Sequence, residues 1–193
     1  MIVTIIAETA TPTMPDTATR LARRRALAGR NVLLLKQNCE RKQANQYTKD
    51  HNNAGWSRME MKAGARSRAL SSELMMRELA STDDVFHDVI IDVPKPFYAD
   101  AKTVLASSNL LVFHMELNLW DKEREAKLYK CIRLARNTNM DLPVLVIIDK
   151  IDCMQSQKFV SQLSGNLAHI KFIYLDDAND MSLANLYRAI YLP

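Results

Sequence analysis

The residues best placed for phosphate chemistry lie between an apolar run at the start of the chain and the first predicted helix. Residues 8–16 read Glu-Thr-Ala-Thr-Pro-Thr-Met-Pro-Asp. In a parallel α/β sheet, the loop at this position binds nucleotide phosphates at a helix N-terminus. That chemistry needs glycines, so that backbone amides can converge on the anion, together with a lysine and a Ser or Thr for magnesium.

The composition of this loop does not suit a phosphate. It contains no glycine and no lysine, and its two prolines each remove an amide donor. Its threonines are β-branched and resist positive φ angles, and its terminal acids, Glu8 and Asp16, repel an anion. We therefore predict a degenerate loop, with no catalytic residue, no bound metal and no cofactor. The degenerate positions are Thr9, Ala10, Thr11, Pro12, Thr13, Met14, Pro15 and Asp16.

The elements that position this loop alternate between strand and helix. Apolar runs predict strands at residues 1–7, 31–35, 85–93, 109–115, 143–149 and 170–175. Helical spacing predicts helices at residues 15–28, 67–80, 99–107, 118–138, 155–165 and 182–189, and Gly29 is expected to stop the first. This alternation predicts one α/β domain over residues 1–193, in three layers, with a mostly parallel sheet covered by helices on both faces.

Composition narrows the class of protein. The chain has 193 residues, of which 48% are hydrophobic, and a net charge of +4 that favours an anionic partner. Its three cysteines are widely spaced and form no metal or redox motif, so we expect a reducing cytoplasm. No apolar run reaches the roughly 18 residues that span a bilayer, so no membrane span is expected.

The first forty residues resemble the start of the ParA/MinD-type partition ATPases, which carry a deviant phosphate loop of the form KGGxGKT[ST]. In that pattern Thr9 takes the place of the signature lysine, Met14 of the second lysine and Pro15 of the magnesium-binding residue. Lys36 falls where the family closes its second strand with aspartate. The resemblance implies a P-loop NTPase-like fold, but ATP chemistry does not carry over to these residues.

A second match to the same family lies further along the chain. Residues 88–94 read Asp-Val-Ile-Ile-Asp-Val-Pro and are similar to the family's D-x-x-x-D-x-P switch segment, which makes Asp92 and Pro94 switch-like residues. The overall layout is closest to the short plasmid ParA-like proteins, including the StbB type. This resemblance implies a role in plasmid partition or conjugative transfer.

Basic residues concentrate in the first helix and in an irregular, polar segment at about residues 37–68. Arginine and lysine near aromatic residues suit a nucleic-acid surface. The alternative interpretation is a solvated helix face and a solubilising insertion. The candidate DNA contacts are Arg20, Arg23, Arg24, Arg41, Lys42, Arg58, Lys62, Arg66 and Arg68.

The leading hypothesis is a ParA-like protein that has lost ATP hydrolysis and acts through DNA and protein contacts. Its expected partners are DNA, a ParB-like or other plasmid-encoded adaptor, an active ParA-type relative or a second copy in a homodimer, in the cytoplasm and on the nucleoid. One alternative is an atypical ATPase that binds ATP and magnesium, with Thr13, Asp16, Asp92 and Asp149 holding the metal. The other is a regulatory module that binds an assembly ATPase and no DNA.

Overall fold

The computed structural model describes residues 1–7, 17–37, 56–61, 67–81, 85–93, 101–116, 122–149, 160–161, 169–175 and 180–192. The strands are β1 (Ile2–Ala7), β2 (Val32–Gln37), β3 (Trp56–Glu60), β4 (Ser67–Leu70), β5 (Asp88–Val93), β6 (Leu110–Glu116), β7 (Val144–Asp149) and β8 (Ile170–Leu175). The helices are α1 (Thr17–Leu27), α2 (Ser72–Ala80), α3 (Ala101–Ser107), α4 (Lys122–Thr138) and α5 (Asp180–Tyr191). Of the helix predicted at 155–165, residues 160 and 161 are described, and both are helical.

The strands form one sheet in the order β4-β3-β2-β5-β1-β6-β7-β8. Six neighbouring strands, in the order β2-β5-β1-β6-β7-β8, pair in parallel. Strands β3 and β4 add an antiparallel edge next to β2. Strand β1 lies between β5 and β6, so the strand order reverses there. In open α/β sheets the ligand crevice lies at such a reversal, beyond the carboxyl ends of the strands.

Helices cover both faces of the sheet, as the sequence predicts. One face packs against α2, α3 and α4, and the other packs against α1 and α5. Alternate residues of a strand enter opposite cores: Leu33 and Leu35 of β2 join the first, whereas Val32 and Leu34 join the second. The predicted three-layer fold is therefore confirmed. In the part of the chain that the structure describes, no helix combines the length and apolarity that a bilayer crossing requires.

The predictions for residues 37–68 and 67–80 are partly wrong. The segment predicted to be irregular contains β3, and the first residues of the predicted helix form β4, which pairs with β3. Helix α2 begins only after Ser71, whose hydroxyl accepts a hydrogen bond from the Leu74 amide at 3.3 Å. This cap fixes the helix start, and pairing with a neighbouring strand outweighs the helical spacing of Ala69 and Leu70.

Helix α1 ends at the glycine that the sequence predicts. Gly29 has a φ of +81°, a left-handed conformation that favours glycine, and its amide donates to the Ala26 carbonyl at 2.9 Å. This turn reverses the chain, so that β2 starts three residues after the glycine. Because α1 runs antiparallel to β1, its first turn lies at the carboxyl edge of the sheet and its last turn at the amino edge.

Candidate functional site

At the carboxyl edge of the sheet, Asp92 forms an ion pair with Lys36. The two residues are Cα partners in the parallel strands β5 and β2, and Lys36 Nζ lies 3.6 Å from Asp92 Oδ2. Their side chains are 30% and 21% exposed, so both charges are partly withdrawn from water. Pro94 and the degenerate loop positions, residues 9–16, lie outside the described residues.

This arrangement does not fit a magnesium site. A carboxylate that binds Mg²⁺ must face the ion, and here an ammonium from the protein itself faces Asp92. A second cation at this place is repelled by Lys36. Within the described ranges, no three His, Cys, Asp or Glu side chains come together as a metal cluster.

The alternative hypothesis, in which Thr13, Asp16, Asp92 and Asp149 bind one magnesium ion, can be checked for Asp92 and Asp149. Asp92 and Asp149 lie on β5 and β7, which are separated by β1 and β6. Three strand spacings amount to about 14 Å, whereas Mg²⁺ binds oxygen at about 2 Å. These two residues are therefore not placed to share one ion. Thr13 and Asp16 lie outside the described residues.

The outer face of α1 is basic. Helix α1 carries Arg20, Arg23, Arg24 and Arg25 and has no acidic residue. Arg23 is exposed, and Arg20 and Arg24 are partly exposed. The neighbouring helix α5 adds the exposed Arg188, and its one carboxylate is at its first residue, Asp180. We call this surface, with the exposed Arg30 that follows α1, the α1–α5 face; its arginines are Arg20, Arg23, Arg24, Arg30 and Arg188.

Arg25 has a different role from its neighbours, because it points into the protein. Its Nε donates to Asp88 Oδ2 at 2.7 Å, and its Nη1 donates to the Tyr187 hydroxyl at 3.1 Å. The guanidinium lies 4.1 Å from the centroid of the Tyr191 ring. Burial acts to lower the pKa of Arg25, but the hydrogen bonds to Asp88 and Tyr187 outweigh it and raise that pKa. Arg25 thus joins α1, β5 and α5 at the amino edge of the sheet.

The contact between Arg25 and Asp88 was not predicted from the sequence. A signal for it exists, because Asp88 directly precedes three apolar residues of β5 and is only 1% exposed. A carboxylate buried to that extent needs a cation or several donors. The sequence does not show which of the α1 arginines supplies the cation.

Arg58, one of the predicted DNA contacts, forms ion pairs within the protein. Its Nη1 lies 2.7 Å from Glu60 Oε1 and its Nε 2.9 Å from Glu78 Oε2, and its guanidinium lies 5.7 Å from the Phe86 ring centroid. These contacts tie β3 to α2, and two carboxylates offset the arginine charge. Arg68 lies opposite Arg58 on β4. The remaining candidates, Arg41, Lys42, Lys62 and Arg66, lie outside the described residues.

We expect Arg58→Ala to lower stability without weakening DNA binding. The loss of two partly exposed ion pairs and one cation–π contact should cost about 1 kcal/mol of unfolding free energy. Urea unfolding followed by circular dichroism measures that loss, and DNA affinity at fixed salt should stay within about twofold of wild type. A loss of affinity with unchanged stability would instead assign Arg58 to the DNA surface.

Comparison with known proteins shows the fold and no close relative. No protein-family model and no curated protein matches the chain. Among solved structures, a plasmid partition protein from Borrelia burgdorferi matches with a TM-score of 0.62 and 15% identity, over 98% of this chain and 96% of that one. Cobyrinic acid a,c-diamide synthase from Mycobacterium smegmatis, with bound ATP analogue and magnesium, matches with a TM-score of 0.61 and 12% identity, over 97% and 91%.

A third similar structure is the pNOB8 ParA protein bound to nonspecific DNA. It has a TM-score of 0.53 and 12% identity, over 99% of this chain and 92% of that one. At such identities the likeness shows the fold, and it agrees with the strand order and the helical layers described above. The chain has the ParA/MinD-type fold of the P-loop NTPases.

Proposed function

We propose that this protein is a ParA-like protein that acts in plasmid partition or conjugative transfer by binding DNA through its α1–α5 face. The observation that carries the proposal is this basic face, with five exposed or partly exposed arginines, on a partition-type fold. Arginines on a carboxylate-poor helix pair suit the phosphates of a duplex without reading its sequence. The similar ParA bound to nonspecific DNA supports this assignment.

The second part of the proposal is that the protein works without ATP hydrolysis. Lys36 pairs with Asp92 at the edge where the fold binds nucleotides, and the loop composition at residues 8–16 lacks both glycine and lysine. The cycle in which ATP sandwiched between subunits drives dimerisation would then be missing. Function would depend on the surfaces of the protein, and no nucleotide or metal cofactor would be required.

A DNA-binding protein without ATP hydrolysis needs partners that link it to the plasmid and drive its movement. We propose a ParB-like or other plasmid-encoded adaptor, or an active ParA-type relative that contributes the ATP cycle. A homodimer would double the number of arginines on the DNA and strengthen binding by multivalency. The site of action would be the cytoplasm, with the protein distributed on the nucleoid.

DNA binding with and without nucleotide tests the proposal. Fluorescence anisotropy with labelled duplexes of unrelated sequence should show binding at low salt that Mg-ATP leaves unchanged. If about four arginines contact phosphates, affinity should fall about a hundredfold between 50 and 200 mM salt. Binding that requires Mg-ATP would contradict the pseudo-ATPase, and no binding at low salt would contradict the DNA-binding role.

A second candidate function is regulation of an assembly ATPase through a protein contact. The observation that favours it is the exposure of two leucines beside the arginines, Leu27 at 89% and Leu192 at 65%. Exposed leucines contribute to protein interfaces and add little to phosphate binding. Association with a protein partner that survives high salt, with no DNA binding at low salt, would favour this candidate.

A further inference from the structure

Asp92, at the carboxyl end of β5, pairs with Lys36 at the edge of the sheet where proteins of this fold bind a nucleotide and its cation. One structural neighbour holds an ATP analogue with magnesium, whereas in this chain Lys36 stands beside Asp92. We propose that the Lys36 ammonium is a permanent substitute for a divalent cation at Asp92, which fixes the end of β5 to β2 without metal or nucleotide. This inference deepens the proposed function and rests on its nucleotide-free part.

The register of the sheet makes this pairing possible. Lys36 and Asp92 are aligned in adjacent parallel strands, so they lie at the same level of the sheet. Alternation along each strand places both on the side of the sheet that packs against α1, because Leu34 and Ile90, two residues earlier in each strand, belong to that core. The lysine therefore reaches its partner across a single strand spacing.

The distance shows how the ammonium competes with a metal. Lys36 Nζ lies 3.6 Å from Asp92 Oδ2, while Mg²⁺ binds carboxylate oxygen at about 2 Å. Coulomb repulsion at such short range is screened only weakly by salt, because neither side chain is fully in water. A divalent ion can therefore approach Asp92 only after the lysine has moved away.

The consequence is a strand end that does not respond to nucleotide. In nucleotide-dependent switches, the terminal phosphate and its Mg²⁺ hold a segment that is released when they leave. Here the partner is part of the chain, at a fixed place on the neighbouring strand. The arrangement at Asp92 is then the same whether ATP is present or absent.

Replacing the lysine by an acid tests the substitution directly. Lys36→Asp places two carboxylates on adjacent strands, which is the beginning of a site for Mn²⁺. With Mn²⁺ alone as the probe, the variant should gain a rise in Tm of about 4 °C at a tenfold excess over Kd, and EDTA should reverse it. The double change Lys36→Asp with Asp92→Asn should lose that rise.

Two further variants keep the test decisive if Lys36→Asp folds poorly. In wild type, Mn²⁺ should leave Tm unchanged, and Asp92→Asn or Lys36→Met should lower Tm equally with and without Mn²⁺. A Mn²⁺-dependent rise in the wild-type Tm that Asp92→Asn removes would overturn the inference, as would a well-folded Lys36→Asp with no gain. These readouts involve no DNA, so they fail or succeed independently of the α1–α5 face.

Discussion

Replacing Arg20, Arg23 and Arg24 by glutamine is expected to weaken DNA binding about a hundredfold at low salt while the fold remains intact. Each arginine that contacts a phosphate contributes a counterion-release term, so the salt dependence should become shallower by about one unit for each residue removed. Glutamine matches arginine in helix propensity, and none of the three residues belongs to the buried core. Arg24 also lies 5.5 Å from the Tyr187 ring centroid, so unchanged circular dichroism is the condition for assigning the loss to charge.

Anisotropy titrations over a series of salt concentrations measure both the affinity and the slope. The matched control is Arg77→Gln on α2, which lies on the opposite face of the sheet and is 73% exposed in an ion pair with Glu73. Both proteins should show wild-type circular dichroism, and the control should bind DNA as wild type does. If the triple variant binds normally, DNA contacts lie elsewhere on the molecule.

The parallel part of the fold could be predicted because each of its strands and helices has a recognisable pattern in its own residues. Strand β5 carries four buried apolar residues, Val89, Ile90, Ile91 and Val93, which enter both cores, and α1 combines helical spacing with the stop at Gly29. Strands β3 and β4 could not be predicted in this way. They are short, polar and held by pairing with each other and with β2, so the information that defines them lies in distant residues.

The site shows the same division. The sequence shows a lysine, Lys36, where the ParA/MinD-type pattern that it resembles has aspartate at the end of the second strand, but it predicts no partner for that lysine. Its pairing with Asp92 depends on the register between β2 and β5, which is a tertiary property. The basic character of α1 could also be predicted, because four of its residues are arginines and none is acidic. What the sequence could not show is that Arg25 turns inward while Arg23, two residues earlier, is exposed.

The inward arginine leads to the second large effect, which is on stability. Asp88 has a 2% exposed side chain and receives Arg25 Nε at 2.7 Å, with Arg30 Nε at 3.7 Å. Removing one partner leaves the other charge unpaired in a site largely shielded from water. The free energy lost in this way exceeds the net contribution of the intact pair to stability. Burial raises the pKa of the nearby Tyr191 phenol, and the negative charge of Asp88 adds to the shift.

We therefore expect Asp88→Asn to lower the unfolding free energy by about 3 kcal/mol and Tm by roughly 8 °C. The exposed Arg23→Ala is the matched control and should change stability by less than about 0.5 kcal/mol. In a double-mutant cycle, Asp88→Asn combined with Arg25→Met should cost less than the sum of the single changes, because both members of the 2.7 Å pair are then removed together and Arg30 is the more exposed of the two arginines near Asp88. Additive losses would instead mean that Arg25 stabilises the protein mainly by stacking on Tyr191 and hydrogen bonding to Tyr187, without dependence on Asp88.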